Sequence, residues 1–263
     1  MRFCTIVYDY YALHARDLPW RTTYDPYGIL VSEIMLQQTQ VSRVLTKYPL
    51  FMSEFPAIKV LAKASLRKVL EVWQGMGYNR RALALKKLSQ YVIEHYRGRI
   101  PSDREALRKL PGIGSATAGS ICAFAFNKPE VFIETNIRSV FIHHFFKDRD
   151  NVSDTELLPW VEKALDRENP RRWYSALMDY GVHLKAAHGN PSRKSSHYAR
   201  QSRFEGSDRQ MRGRILKVLV ENKQLTEKKL LHLFNDDLPR AQQLINDLCG
   251  EDLIHRQGVW VSL

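Results

Sequence analysis

The stretch LRKLPGIGSATAGSICAFAF, residues 107–126, sets two glycines either side of an isoleucine, between one helical pattern and the next. Gly112 and Gly114 can take backbone angles or close approaches closed to other residues. Amides in such a turn at the start of a helix point outward, where an anion is favoured. The turn reads physically as a phosphate clamp. A tight helix–helix turn that binds nothing is the plainer alternative, and the basic flank Arg104, Arg108 and Lys109 weighs against it. The loop is much shorter than a P-loop and lacks Gly-Lys-Ser/Thr, so nucleoside triphosphate hydrolysis has no support.

Outward from this turn the chain reads as helices joined by short connections. Apolar residues over Tyr27 to Phe55 predict two helices meeting near Thr39, and Leu66 to Trp73 and Ala82 to Tyr96 predict two more around the glycine turn GMGYN. Asp103 to Lys109 is expected as a short helix capped by Ser102, with Glu105 in capping-box position. Further helices follow over Thr117 to Phe126, Asp154 to Leu165 and Arg172 to His183. Residues 185–212 hold seven Lys or Arg against two acids, with Gly, Pro and Ser, and read as a linker or surface arm. Gly213 to Val220, Thr226 to Phe234 and Leu238 to Leu248 give three short helices, and LIHRQGVWVSL gives a strand, a turn and a strand. The expected fold is all-α, with a small winged-helix-like unit at residues 205–263.

The chain has 263 residues, enough to bury a sizeable core, and its 40 Lys and Arg against 28 Asp and Glu leave a charge of +12. Such a balance favours a polyanionic partner, nucleic acid before a membrane surface. The three cysteines, Cys4, Cys122 and Cys249, stand too far apart in sequence for a disulfide framework or a four-thiolate site. That suits a reducing cytoplasm, or the nucleoid of a prokaryote. Neither a spanning helix nor a secretory signal is legible, and a monomer is the expected state.

Two acids stand out in this basic chain. Glu33, in VSEIMLQQTQV, sits in a segment apolar but for Ser32, and burial of a carboxyl raises its pKa toward what a general acid needs near neutral pH. A solvated acid on a mixed helix is the ordinary alternative. Gln37, Gln38 and Gln40 then offer amides suited to base edges. Glu134, in EVFIETNIRSVF, precedes Asn136 at what reads as a helix start.

Together LPWRTTYDPYGILVSEIMLQQTQV, WQGMGYNRRALAL, LPGIGSATAG, IETNIRSV and ALMDYG resemble the helix-hairpin-helix DNA glycosylases of the endonuclease III superfamily, nearest the adenine-directed, MutY-like branch. The resemblance runs from Leu18 to Gly181. It implies a two-lobed helix-hairpin-helix glycosylase core over residues 1–204, with a six-helix lobe at about 22–133 and a second lobe from 1–21 plus 134–204. It implies a duplex DNA partner holding a mispair or damaged base, Glu33 as the acid that protonates adenine, Glu134 as the carboxylate facing the sugar cation, and Asn136 as its support. DNA contacts then fall on Gln37, Gln38, Thr39 and Gln40, on Tyr78, Arg80 and Arg81, and on Leu110, Gly112, Ile113, Gly114, Ala116 and Thr117.

Several positions depart from the family pattern. Glu134 stands where the family has aspartate. Ala116 stands where lyase relatives carry the lysine that attacks the sugar, which implies base hydrolysis without strand cleavage. Residues 183–203 lack the four cysteines of an iron–sulfur cluster, so no metal and no cofactor is expected, and His183, His188 and His197 read as basic surface. An 8-oxoguanine-reading domain does not fit in residues 205–263. Three readings follow: an adenine glycosylase, a glycosylase for thymine or uracil opposite guanine, or a DNA-binding module without chemistry.

Overall fold

The computed structural model describes residues 2–263, which are helical apart from one small sheet. The helices are α1 (Arg2–His14), α2 (Pro19–Thr22), α3 (Pro26–Leu36), α4 (Val41–Glu54), α5 (Ile58–Lys63), α6 (Leu66–Trp73), α7 (Arg80–Tyr96) and α8 (Arg104–Arg108). They continue with α9 (Ser115–Phe126), α10 (Thr135–Phe145), α11 (Asp154–Ala164), α12 (Pro170–His188), α13 (Asp208–Glu221), α14 (Glu227–His232) and α15 (Leu238–Gly250). Strands β1 (Gln224–Thr226), β2 (His255–Gln257) and β3 (Trp260–Ser262) pair antiparallel in the order β1-β3-β2. Two helical lobes result. The first comprises residues up to Glu33 with 100–109 and 113–200, and the second comprises 34–99, 110–112 and 201–263.

In the first lobe α12 is the central element, packed by α1, α9 and α10. Trp173, Leu177 and Leu184 recur on its buried stripe and meet Phe3, Val7, Phe132, Val140 and Phe141. Each large apolar side chain buried this way contributes about 1.5–3 kcal/mol. Gly181 has a strict reason to be glycine: a Cβ there would lie 2.7 Å from both the Cβ and the carbonyl oxygen of Asn136. The close approach of α12 to the start of α10 depends on it.

The segment after Leu184 differs from the expected linker. Helix α12 runs on to His188, Asn190 caps a 3₁₀ turn over Pro191–Lys194, and Ser192 and Ser195 are buried. Val152 donates to the Lys194 carbonyl at 2.9 Å and accepts from Ser196 at 3.0 Å, so backbone bonding ties a polar, basic sequence down. The cap of α8 also differs. Asp103, not Ser102, accepts from Ala106 N at 2.9 Å, while the Ser102 carbonyl receives Lys128 Nζ at 2.7 Å.

In the second lobe α5 and α6 lie on α7, and Phe51, Leu61, Trp73 and Leu85 are buried. The winged-helix-like unit joins the same lobe. Arg67 of α6 donates to the carbonyls of Leu219, Val220, Asn222 and Lys223, satisfying the C-terminal end of α13. Glu251 pairs with Arg80 and Arg212, and Lys87 lies 2.8 Å from Asp252. β1 has three residues and no alternation to betray it; it exists through pairing with β3.

Candidate functional site

The glycine turn holds two unlike glycines. Gly112 has φ +78°, and a Cβ there would come within 2.9 Å of the Ala84 Cβ, so both angle and space demand glycine. Gly114 is extended at φ −86°, an ordinary angle, and a Cβ there would meet nothing within 4 Å. It N-caps α9 without a side-chain hydrogen bond. Ala116 is exposed and Thr117 half-buried, whereas Leu110 and Ile113 are buried and anchor the turn.

In the second lobe Gln38 and Tyr78 both adopt left-handed backbone, at φ +53° and +48°. Between the two loops lies Arg81, which does not reach outward as expected. Its guanidinium is buried and donates to the carbonyls of Ile34, Met35, Gln37, Met76 and Gly77 and to Thr39 Oγ1. Burial pushes its pKa down to about 10, still charged at neutral pH. Arg81 therefore shapes the Gln37–Gln40 and Gly75–Tyr78 loops from behind. Gln37 Nε2 is 3.5 Å from the Gly112 carbonyl, and Gln38 and Gln40 are exposed. Tyr78 has the Arg81 and Arg209 guanidinium carbons 5.4 and 5.3 Å from its ring centroid, and its hydroxyl accepts from Arg209 at 2.7 Å and from Gln201. Arg80 is exposed and shares Glu251.

The two acids lie in the first lobe. Glu33 Oε2 is 2.6 Å from Ser120 Oγ of α9, which is itself 2.9 Å from the Thr117 carbonyl. A hydroxyl has one proton. Ser120 can give it to the Glu33 carboxylate or to the Thr117 carbonyl, and the first of these favours ionised Glu33. Desolvation pushes the Glu33 pKa up to about 7, against the Ser120 hydrogen bond and the Arg21 charge and with the Glu134 charge.

Glu134 caps α10. Its Oε1 accepts from Asn136 N at 2.5 Å and Ile137 N at 2.8 Å, and its Oε2 accepts from Asn136 Nδ2 at 3.1 Å. Burial raises its pKa, while the helix amides, Lys185 and Arg138 pull it back. The site thus brings Glu33, Glu134 and Asn136 into one lobe. Ser120 and Lys185 join them and were not among the residues expected from sequence. Ser120 is one serine in an apolar helix. Lys185 carried one signal, its i+4 relation to Gly181 on a single helix face. No group of three or more His, Cys, Asp or Glu among the described residues is placed to hold a metal ion, and none of their helices is long and apolar enough to cross a membrane.

Comparison with known proteins places residues 31–162 in a match to the HhH-GPD superfamily base excision DNA repair protein model. The adenine DNA glycosylase of Mycobacterium tuberculosis is 31% identical over 274 residues, covering 94% of this chain and 88% of that protein. The adenine DNA glycosylase of Buchnera aphidicola (subsp. Baizongia pistaciae) is 35% identical over 180 residues, 68% of this chain; the chain spans about half (51%) of that protein's length. A thymine/uracil-DNA glycosylase of Pyrobaculum aerophilum is 34% identical over 157 residues, covering 58% of this chain and 68% of that protein. Among solved structures, a thermostable thymine-DNA glycosylase superposes with a TM-score of 0.63 at 26% identity, over 75% of this chain and 95% of that one.

Proposed function

For this chain, which belongs to the HhH-GPD superfamily of base excision DNA repair proteins, we propose hydrolysis of the N-glycosidic bond of adenine mispaired with guanine or 8-oxoguanine in duplex DNA. The observation that carries the reading is the placing, within one lobe, of the Glu33 carboxyl 2.6 Å from Ser120 Oγ and of the Glu134 carboxyl on the first amides of α10. Glu33 gives its proton to a ring nitrogen of the extruded base, which makes the purine a tolerable leaving group. The C1′–N bond then breaks toward an oxocarbenium-like sugar. Glu134 offsets that charge, and water takes the place of the base.

Amides at the start of α9 supply phosphate contacts, and Tyr78 and the Gln37–Gln40 loop offer further contacts to DNA. Ala116 offers no amine, so the product is an abasic site and the strand stays intact. Likeness to thymine- and uracil-directed relatives favours a second reading with the same build and another base. A panel of duplexes, each with one mispair or damaged base, tests both readings through free base released and strand breaks with and without alkali. Adenine release, with breaks only after alkali, is the expected result. Release of thymine or uracil alone moves the assignment to the second reading, and a wholly inert protein refutes both.

A further inference from the structure

We propose that Lys185 is a positioning residue for Glu134, fixing which end of the Asn136 amide meets the carboxylate. This rests on the reading of Glu134 as the carboxylate that faces the sugar. Lys185 Nζ lies 2.7 Å from Asn136 Oδ1, and Asn136 Nδ2 lies 3.1 Å from Glu134 Oε2 and 3.7 Å from Met178 Sδ. The two ends of an asparagine amide have nearly the same shape, so packing alone does not choose between them. An ammonium has three donors and no acceptor, and an ionised carboxylate only accepts. With Lys185 on one side and Glu134 on the other, one orientation makes two hydrogen bonds and the flipped one makes two repulsions. The lysine charge also polarises the amide and strengthens the donor it offers Glu134.

Charge bookkeeping around Glu134 points the same way. Arg138, on α10, has its guanidinium taken by Asp154 at 2.7 Å. The Glu134 charge opposes ionisation of Glu33, from α3, and Arg21 is bound to Asp179 at 2.7 Å. Lys185, from α12, forms no ion pair with another acid among the described residues; it draws the Glu134 pKa down, while burial lowers its own pKa against the opposing pull of the Glu134 charge. Its reach is set by Gly181, one turn earlier on the same helix face, whose missing Cβ admits Asn136.

The test compares wild type with Lys185→Met and Lys185→Arg, with Lys185→Gln as a second neutral variant should the methionine protein fail to fold. Carbon-13 NMR of glutamate-labelled protein, with Glu134→Gln to assign the signal, follows Glu134 ionisation without DNA. Single-turnover base release against pH and duplex affinity at fixed salt follow function. Loss of the charge is expected to raise the Glu134 midpoint by about one unit, lowering the rate on the acidic side about tenfold and leaving affinity within about twofold. Lys185→Arg should keep the midpoint and recover part of the rate. A midpoint in the neutral variants that matches wild type overturns the inference whatever the activity. A midpoint that moves in a protein that releases no base from any duplex upholds the positioning role and refutes the glycosylase reading instead.

Discussion

Replacing Glu134 by aspartate separates the two jobs this residue has been given. As the N-cap of α10 it satisfies the amides of Asn136 and Ile137 at 2.5 and 2.8 Å, and aspartate is a favoured cap, so those bonds survive and stability should change by less than about 1 kcal/mol. The charge does not survive in place. One methylene less draws the carboxylate back by about 1 Å, and a misplacement of that size costs on the order of 10²-fold in rate. The Asn136 Nδ2 contact, 3.1 Å in the native protein, lengthens as well, which loosens the hold on the carboxylate's direction. A 10²-fold loss is about 2.7 kcal/mol of barrier. Three donors fitted to the longer side chain imply a pocket rebuilt around glutamate, so single-turnover base release should fall about 10²-fold. Duplex affinity at fixed salt and the urea midpoint should stay near wild type. A rate equal to or above wild type would mean that the pocket still fits the shorter acid and would refute this account of the cap.

Glu33→Gln leaves no proton to transfer, so base release should collapse below detection while duplex binding persists, as measured by product assay beside a titration. The same change should stabilise the protein at high pH. The folded pKa of Glu33, about 7, lies above its ordinary 4.5, so its contribution is complete below 4.5 and is lost as pH rises toward 7, by up to about 3 kcal/mol. Denaturant midpoints of both proteins at pH 5 and pH 8 check it, with a gain for Glu33→Gln expected only at pH 8. Base release should follow a bell: the alkaline side falls through about 7 as Glu33 loses its proton, and the acidic side falls as Glu134, raised by burial, gains one. A rate that climbs steadily past pH 8 would contradict the assignment of Glu33. Gly181→Ala should cost about 1–3 kcal/mol in thermal unfolding and lower the rate further, because its Cβ would lie 2.7 Å from Asn136.

How far the sequence spoke depended on the range of the interaction. Helix α6 was legible to the residue, from Leu66 to Trp73, because Ser65 caps it and Val69, Leu70 and Trp73 form one apolar stripe. Gly112 was legible because a turn between helices leaves few ways to reverse the chain. Arg81 was not. An arginine beside another arginine reads as a phosphate contact, and only folding puts it behind two loops with six oxygens to fill. Lys185 was hidden for a similar reason: its surroundings are small, polar and basic, and its partner lies 49 residues earlier.

The poise of Glu33 is the deepest of these non-local effects. A chain of net charge +12 ought to favour ionised carboxyls everywhere, so a carboxyl held near pKa 7 needs the local field to overrule the global one. Position along the chain offers no hint of how that is done. The nearby cation is Arg21, and its guanidinium makes two bonds of 2.7 Å to Asp179, which is itself buried and also holds Arg16. Most of the Arg21 charge is spent there, so desolvation, helped by the Glu134 carboxylate, outweighs the Ser120 hydrogen bond and keeps the proton on Glu33. Distant lysines and arginines act through water and salt, which screen them beyond roughly 8–10 Å. The positive surface can therefore draw in a polyanion without stripping the proton from the acid, and the ALMDYG segment that supplies Asp179 and Gly181 serves both the charge balance and the packing of that site.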